Sequence, residues 1–120
     1  RHKYVSGVDT MKNKIYNGFE IVHDLIKLRW VPEIVKSIQH GNSRYNEILR
    51  SIPYVSNTEL NRKLTILVEK NVVEKNIDGS DTGYSLLNFG EDLAHIFDHL
   101  ECLEDKYFEN SEVECTLHLQ

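Results

Sequence analysis

Four polar side chains in one stretch, Asn57, Thr58, Asn61 and Arg62 of "SNTELNRKLTILVEKNVVEK" (residues 56–75), have the chemistry to read a nucleic acid. An Asn amide can bond adenine through two hydrogen bonds and an Arg guanidinium can do the same to guanine. Each good pair is worth about 1–3 kcal/mol of discrimination. Ser56 opens the stretch, where its hydroxyl and the unpaired N–H groups of a helix start can hold a phosphate. Lys63 adds a cation to the same segment. Exposed helix faces also carry Asn, Arg and Lys with no ligand at all, so the elements around the segment have to decide.

The segment itself reads as a helix. Ser56 and Glu59 form an S-x-x-E capping box, and Val55 and Leu60 stand where a hydrophobic staple belongs. Leu60, Leu64 and Leu67 give a buried stripe, flanked by Ile66 and Val68, and Asn71 is suited to the left-handed conformation that ends a helix. With that stripe turned inward, Thr58, Asn61 and Arg62 point away from the core, with Tyr54 or Asn57 at the mouth.

Upstream, Ile15, Phe19, Val22 and Ile26 step by 4, 3 and 4, an amphipathic first helix. Pro32 suits the first turn of a second helix that runs to about Gln39 and ends at "HGNS", with Gly41 just past its end. "RYNEILRSI" is a short third helix stopped by Pro53. Downstream, "VVEKNI" and "TGYSLL" are strands joined by "DGSD", whose Asp-Gly pair is a hairpin signal. Asn88 is suited to cap a last helix. In it Phe89, Leu93, Ile96, Leu100, Leu103 and Tyr107 step by 4, 3, 4, 3 and 4, a seam longer than so small a core needs. Phe97 and Phe108 widen that face, and two copies of the chain are expected to pack along it.

The fold class expected is mainly α with a small two-stranded β-hairpin: a helix-turn-helix followed by a wing. Its expected extent is residues 15–108, between an N-terminal tail, 1–14, and an acidic C-terminal tail, 109–120. Met11 is the only methionine, which suggests that the first residues are foreign to the natural chain. One domain with one modest core fits 120 residues. With 40% hydrophobic and 28% charged residues the composition is that of a soluble globular protein. No apolar run approaches the roughly 20 residues of a membrane span, and "RHKYVSGVDTMKNK" has no apolar core to make it a signal peptide. The expected location is cytoplasmic.

The net charge of −5 is unevenly placed. Residues 1–75 hold 13 Lys or Arg against 8 Asp or Glu, whereas residues 76–120 hold 1 against 11. A phosphate-facing surface therefore belongs to the first part, although acidic tails also serve solubility alone.

No phosphate-binding Gly loop, H-E-x-x-H or G-x-S-x-G is present, so no enzyme activity is expected. His95 and His99, near Glu91 and Cys102, have metal-compatible spacing, but Asp98 and Glu101 make this a polar helix face, and neither metal nor cofactor is expected. Cys102 and Cys115 lack CxxC spacing and read as unreactive thiols.

Four pieces in order make the chain resemble the HxlR-type winged helix-turn-helix transcriptional regulators, relatives of the MarR group, over about residues 17–103. "RW" at Arg29–Trp30 is similar to the family's Lys-Trp, and "RYNEILRSIPYVS" to its basic-aromatic-x-Glu-Leu, then Ile-Pro-Gly-Ile-Ser. "SNTELNRKLTILVEKNVVEK" resembles Ser-x-x-x-Leu-Thr-x-x-Leu-x-x-Leu-x-x-x-Gly-Leu-Val, and "YSLLNFG" resembles Tyr-Ser-Leu-Thr-x-x-Gly. The resemblance implies a homodimeric regulator of double-stranded DNA, paired through its first and last helices (Ile15, Phe19, Val22 and Ile26; Leu93, Ile96, Leu100, Leu103 and Tyr107). Ser56, Asn57, Thr58, Asn61 and Arg62 then fall on the recognition helix. Arg44 and Tyr45 fall where phosphate contacts are expected, and Trp30 falls in the core.

Three departures stand out. Asn17 and Gly18 occupy the family's Cys-Pro positions, so family-style thiol sensing is not expected, and Lys27–Leu28 replace its Gly-Gly. The wing "NIDGSDTG" is short and carries Asp78 and Asp81 with no Arg. Carboxylates there repel phosphates, which predicts a wing held off the DNA or weak binding. The competing expectation is a winged helix that has lost its DNA contacts and serves as a protein–protein interaction module, with an acidic half made for a basic partner. Arg44, Arg50, Arg62 and Lys63 on the helix-turn-helix weigh against it.

Overall fold

The computed structural model describes residues 18–109. In chain order it holds α1 (Glu20–Ile26), α2 (Val31–Gln39), α3 (Tyr45–Ser51), α4 (Asn57–Glu69), β1 (Val73–Asp78), β2 (Asp81–Leu86) and α5 (Asn88–Glu104). A π-helical turn, Asp105–Glu109, prolongs α5. Five helices and one hairpin in this order make a winged helix-turn-helix. Ile15, Asn17, Cys115 and nearly all of both terminal segments lie outside the described residues.

α2 is the element on which the others are built. Val31, Ile34, Val35, Ser37 and Ile38 are all buried, and the helix packs against α1, α3, α5 and β2. Around it Ile48 and Ile52, Leu60, Leu64 and Leu67, Val72 and Val73, Tyr84, and Leu93, Ala94 and Phe97 complete one core. Burying each large apolar side chain contributes about 1.5–3 kcal/mol, which is what fixes the short helices α1 and α3 in place.

Chain reversals follow the expected chemistry. Gly41 (φ 108°) and Asn71 (φ 63°) both take the left-handed region one residue past a helix cap. After α2, Gly41 N–H donates to Ile38 O and Asn42 N–H to Ser37 O; after α4, Asn71 N–H donates to Val68 O and Val72 N–H to Leu67 O. Each is a complete Schellman closure that satisfies two orphan carbonyls. Two further residues with positive φ are not predicted by their type: Trp30 (φ 73°) and Tyr54 (φ 73°). Trp30 caps α2, is half-buried against the core, and has the Arg29 guanidinium 4.4 Å from its ring centroid.

In the hairpin Val73 pairs with Leu86 and Asp78 with Asp81, leaving Gly79–Ser80 as a two-residue turn with Gly79 at φ 66°. The strands are therefore one residue longer at the tip than the Asp-Gly signal suggests. A bridge from Arg44 to Gly83, with Tyr84 N–H donating to Ser43 O at 2.7 Å, ties the wing to the start of α3. Asn88 is the first residue of α5, not its cap; Leu87 holds that place and donates its N–H to Val72 O. α2 and α5 are joined by Lys36, whose ammonium meets the carboxylates of Asp98 and, at 2.8 Å, Glu101.

α5 divides the apolar seam. Leu93 and Phe97 are buried in this chain's own core, so Leu93, expected at a dimer face, is spent inside the protomer. Ile96, Leu100, Leu103, Tyr107 and Phe108 stay exposed, as do Phe19 and Ile21 by α1, while Val22 and Ile26 are half-buried. Cys102 is half-buried on α5.

Candidate nucleic-acid interface

The start of α4 is set by Ser56, whose Oγ accepts from Glu59 N–H at 3.1 Å. Only that half of the capping box carries over as written. The Glu59 carboxylate turns along the helix instead, to Arg62 at 2.9 Å and Lys63 at 2.8 Å. The Lys63 hydrogen bond leads in holding the Glu59 carboxyl below the usual range, with both cations adding to it.

At about 100° per residue, Asn57, Thr58, Asn61, Arg62 and Thr65 fall within an arc of about 140°. All five are exposed, while Leu60, Lys63, Leu64 and Leu67 turn inward. The structure thus brings Asn57, Thr58, Asn61 and Arg62 onto one face, with Ser56 exposed at its N-terminal edge as the cap, and takes Lys63 off it. The Lys63 side chain is only 10% exposed, its stem lying on the core and its ammonium reaching out to Glu59. Thr65 shares the exposed face and was not foreseen. Its hydroxyl donates to Asn61 O at 2.9 Å, and the helical spacing from Asn61 is the signal that would have found it.

α3 supplies the second part of the site. Glu47 accepts the backbone N–H groups of Ser43 and Arg44, both at 3.1 Å, which fixes the entry to the helix. Tyr45 O–H donates to Asn57 Oδ1 at 2.8 Å and so ties the two helices of the motif at their starts. Burial raises the Tyr45 phenol above its usual pKa, and it remains a donor at neutral pH. With Oδ1 taken, Asn57 offers mainly its amide N–H₂; Asn61 keeps both ends of its amide available.

Between α3, α4 and the wing lies a cleft of about 680 Å³. Arg44, Arg50 and Lys75 line it as cations, Glu47 and Asp81 as carboxylates, and Asn57, Asn61, Thr82 and Ser80 as neutral polar groups. Asp81 is not free to repel an approaching anion, because Arg44 Nη1 stands 2.6 Å from its Oδ2. Lys75 and Thr82 reach this cleft only through the hairpin register, and the sequence reading did not include them. Among the described residues no group of three or more His, Cys, Asp or Glu is placed to hold a metal ion. Nor, among them, is any helix long and apolar enough to cross a membrane.

Three comparisons bear on this geometry. The profile of the HxlR-like helix-turn-helix family matches residues 25–112. The HTH-type transcriptional regulator YodB of Bacillus subtilis (strain 168) is 25% identical over 108 residues, covering 88% of this chain and 96% of that protein. Its reduced form superposes with a TM-score of 0.69 at 24% identity, over 80% of this chain and 97% of that one. A MarR-family regulator from Porphyromonas gingivalis W83 gives 0.68 at 25% identity, over 81% and 98%.

Proposed function

This chain belongs to the HxlR-like helix-turn-helix family of transcriptional regulators, and on that premise we propose that it reads a pseudo-palindromic operator in double-stranded DNA as a cytoplasmic homodimer. The observation that carries the reading is the exposed arc of Asn57, Thr58, Asn61 and Arg62, four groups able to bond base edges or phosphates, beside a cleft lined by Arg44, Arg50 and Lys75.

The roles follow from what each side chain has left to offer. Asn61, with both amide ends available, suits adenine; Arg62, one of whose nitrogens is on Glu59, has further donors for guanine. Asn57, held by Tyr45, and Ser56 suit the phosphate backbone. Thr58 suits a base or thymine methyl. Arg44 is the nearest cation for a second backbone contact. Lys63 contributes instead by holding Glu59.

Dimerisation uses the apolar groups that the protomer leaves uncovered: Ile96, Leu100, Leu103, Tyr107 and Phe108 on and beyond α5, and Phe19 and Ile21 at the start of α1. A two-fold axis along such a seam sets the two α4 helices in successive major grooves, about 34 Å apart.

The test is fluorescence anisotropy on a duplex selected by the protein from a random pool. Arg62→Ala should weaken binding to it at least tenfold, the value of one lost bidentate contact (about 1–3 kcal/mol), and Asn61→Ala/Arg62→Ala should leave only weak, salt-sensitive binding. Equal, weak binding by wild type and double variant would remove α4 from readout and turn attention to a protein partner.

A further inference from the structure

The Arg44–Asp81 pair has more structural provision than an exposed ion pair requires. Both side chains are more than half exposed, at 56% and 62%, a setting in which such pairs add little to stability. Yet the main chain fixes their separation: the Arg44–Gly83 bridge and the Tyr84 N–H to Ser43 O bond hold β2 against the residues that enter α3. Asp81 also stands directly opposite Asp78 across the hairpin, an arrangement of like charges that cross-strand pairing disfavours. Arg44 is the group that offsets it. The pair lies in the wall of the cleft that holds Arg50 and Lys75.

A guanidinium presents the same forked donors to a carboxylate and to a phosphate. We infer that the Asp81 carboxylate occupies, on Arg44, the seat of a DNA backbone phosphate, and that the wing is an internal competitor the duplex must displace. This rests on the reading that α4 docks on DNA and adds to it a specific brake. A backbone contact at Arg44 forms only after the wing gives it up, so every duplex, whatever its sequence, meets the same penalty. The acidic wing thus acts through one ion pair and not through diffuse repulsion.

The experiment is a double-mutant cycle. Wild type, Asp81→Asn, Arg44→Gln, the double variant and Asp78→Asn are titrated by anisotropy onto the selected duplex and onto a random-sequence duplex of the same length. Asp81→Asn should tighten binding by about two- to fivefold, the equivalent of an exposed ion pair, and equally on both duplexes. In the Arg44→Gln background the same change should do almost nothing, and Asp78→Asn, which removes a carboxylate without freeing Arg44, should give well under half the gain. Equal gains with and without Arg44, gains as large from Asp78→Asn, or no gain from Asp81→Asn would each overturn the competitor. Failure of all five proteins to bind either duplex is a different result: it overturns the DNA reading of α4, and this inference with it. Thermal unfolding of each variant confirms that the exposed substitutions leave the fold intact.

Discussion

Gly90→Ala should destabilise the protein, although helix propensity alone predicts the opposite. Gly90 is buried in the first turn of α5. A Cβ built there would lie 2.2 Å from Val72 O, 3.0 Å from a Leu86 methyl and 3.2 Å from Val72 C. The nearest atom is backbone and cannot rotate away. It also accepts the Leu87 N–H that starts α5, and it belongs to the residue whose own N–H closes the Schellman turn after α4. Moving it by the ångström or so that contact requires disturbs the end of α4, the base of the wing and the start of α5 together. Overpacking of this kind costs about 1–3 kcal/mol, against a propensity gain of at most about 1 kcal/mol for Ala over Gly. Because the 2.2 Å clash is with backbone, the upper part of that range, about 2–3 kcal/mol, applies, and the net is a loss of about 1–2 kcal/mol, or roughly 4–16 °C in Tm for a domain of this size. Thermal unfolding by circular dichroism would measure it, at fixed protein concentration because the proposed dimer would make Tm concentration-dependent. A Tm equal to or above wild type would refute the close packing of α5 on Val72. The same variant should bind DNA more weakly, since α4 and α5 share the disturbed residue.

Three further outcomes are expected. Tyr54→Gly should raise stability by about 0.5–1 kcal/mol, since Tyr54 has φ 73°, is 97% exposed and loses no packing on truncation; chemical denaturation would show it, and a loss of stability would mean that the ring has a contact. Leu100→Glu, which sets a charge on a 46% exposed residue of the seam, should leave a folded monomer in sedimentation velocity if the dimer forms there; an unchanged dimer would move the interface elsewhere. Asp98→Asn should flatten the acid limb of stability against pH. Burial pushes the Asp98 carboxyl up, but hydrogen bonds from Lys36 and Gln39 outweigh it and its pKa ends lowered. Its stabilisation is therefore present above the ordinary carboxylate range and is lost as pH falls below about 4. Lys36 is pushed down by burial and ends raised through Asp98 and Glu101, so its part fails only as pH rises through its elevated value. An identical acid limb in wild type and Asp98→Asn would exclude this pair as its source.

What was legible in the chain was local. Ser56 with the Leu60, Leu64 and Leu67 stripe announces α4 because a cap and a 3.6-residue period are both properties of neighbours in sequence. The Asp-Gly pair announces the hairpin, and Gly41 and Asn71 the helix ends, for the same reason. The contact that most changes the picture of the wing, Arg44 to Asp81, spans 37 positions, and no pattern within either segment encodes it. Lys63 shows a different limit. Its type says solvent, but its place beside Leu60, Leu64 and Leu67 puts its stem on the core, and only a Glu one turn back makes that tolerable. α5 shows a third. A 4-3-4-3-4 apolar spacing fixes a face without saying who covers it, and the face divides between Leu93 and Phe97 inside and Ile96, Leu100 and Leu103 outside.

The same long-range pairing resolves the sign of the charge. A net −5 with eleven carboxylates in the last 45 residues would seem to forbid a phosphate-binding surface. Three of them are matched across the fold: Asp98 and Glu101 on Lys36, and Asp81 on Arg44. Others lie on α5, an element that packs on α2 and β2, whereas at the start of α4 the carboxylate beside Arg62 is Glu59, already bound to two cations, and the helix's other carboxylate, Glu69, stands at its far end. Exposed charges further apart than a Debye length, about 8 Å at physiological salt, are largely screened from one another. The duplex would then respond to the charges within reach of its phosphates, not to the sum over the chain. On that argument Arg62 and the cleft cations Arg44, Arg50 and Lys75 set the affinity, and the wing's hold on Arg44 would adjust it.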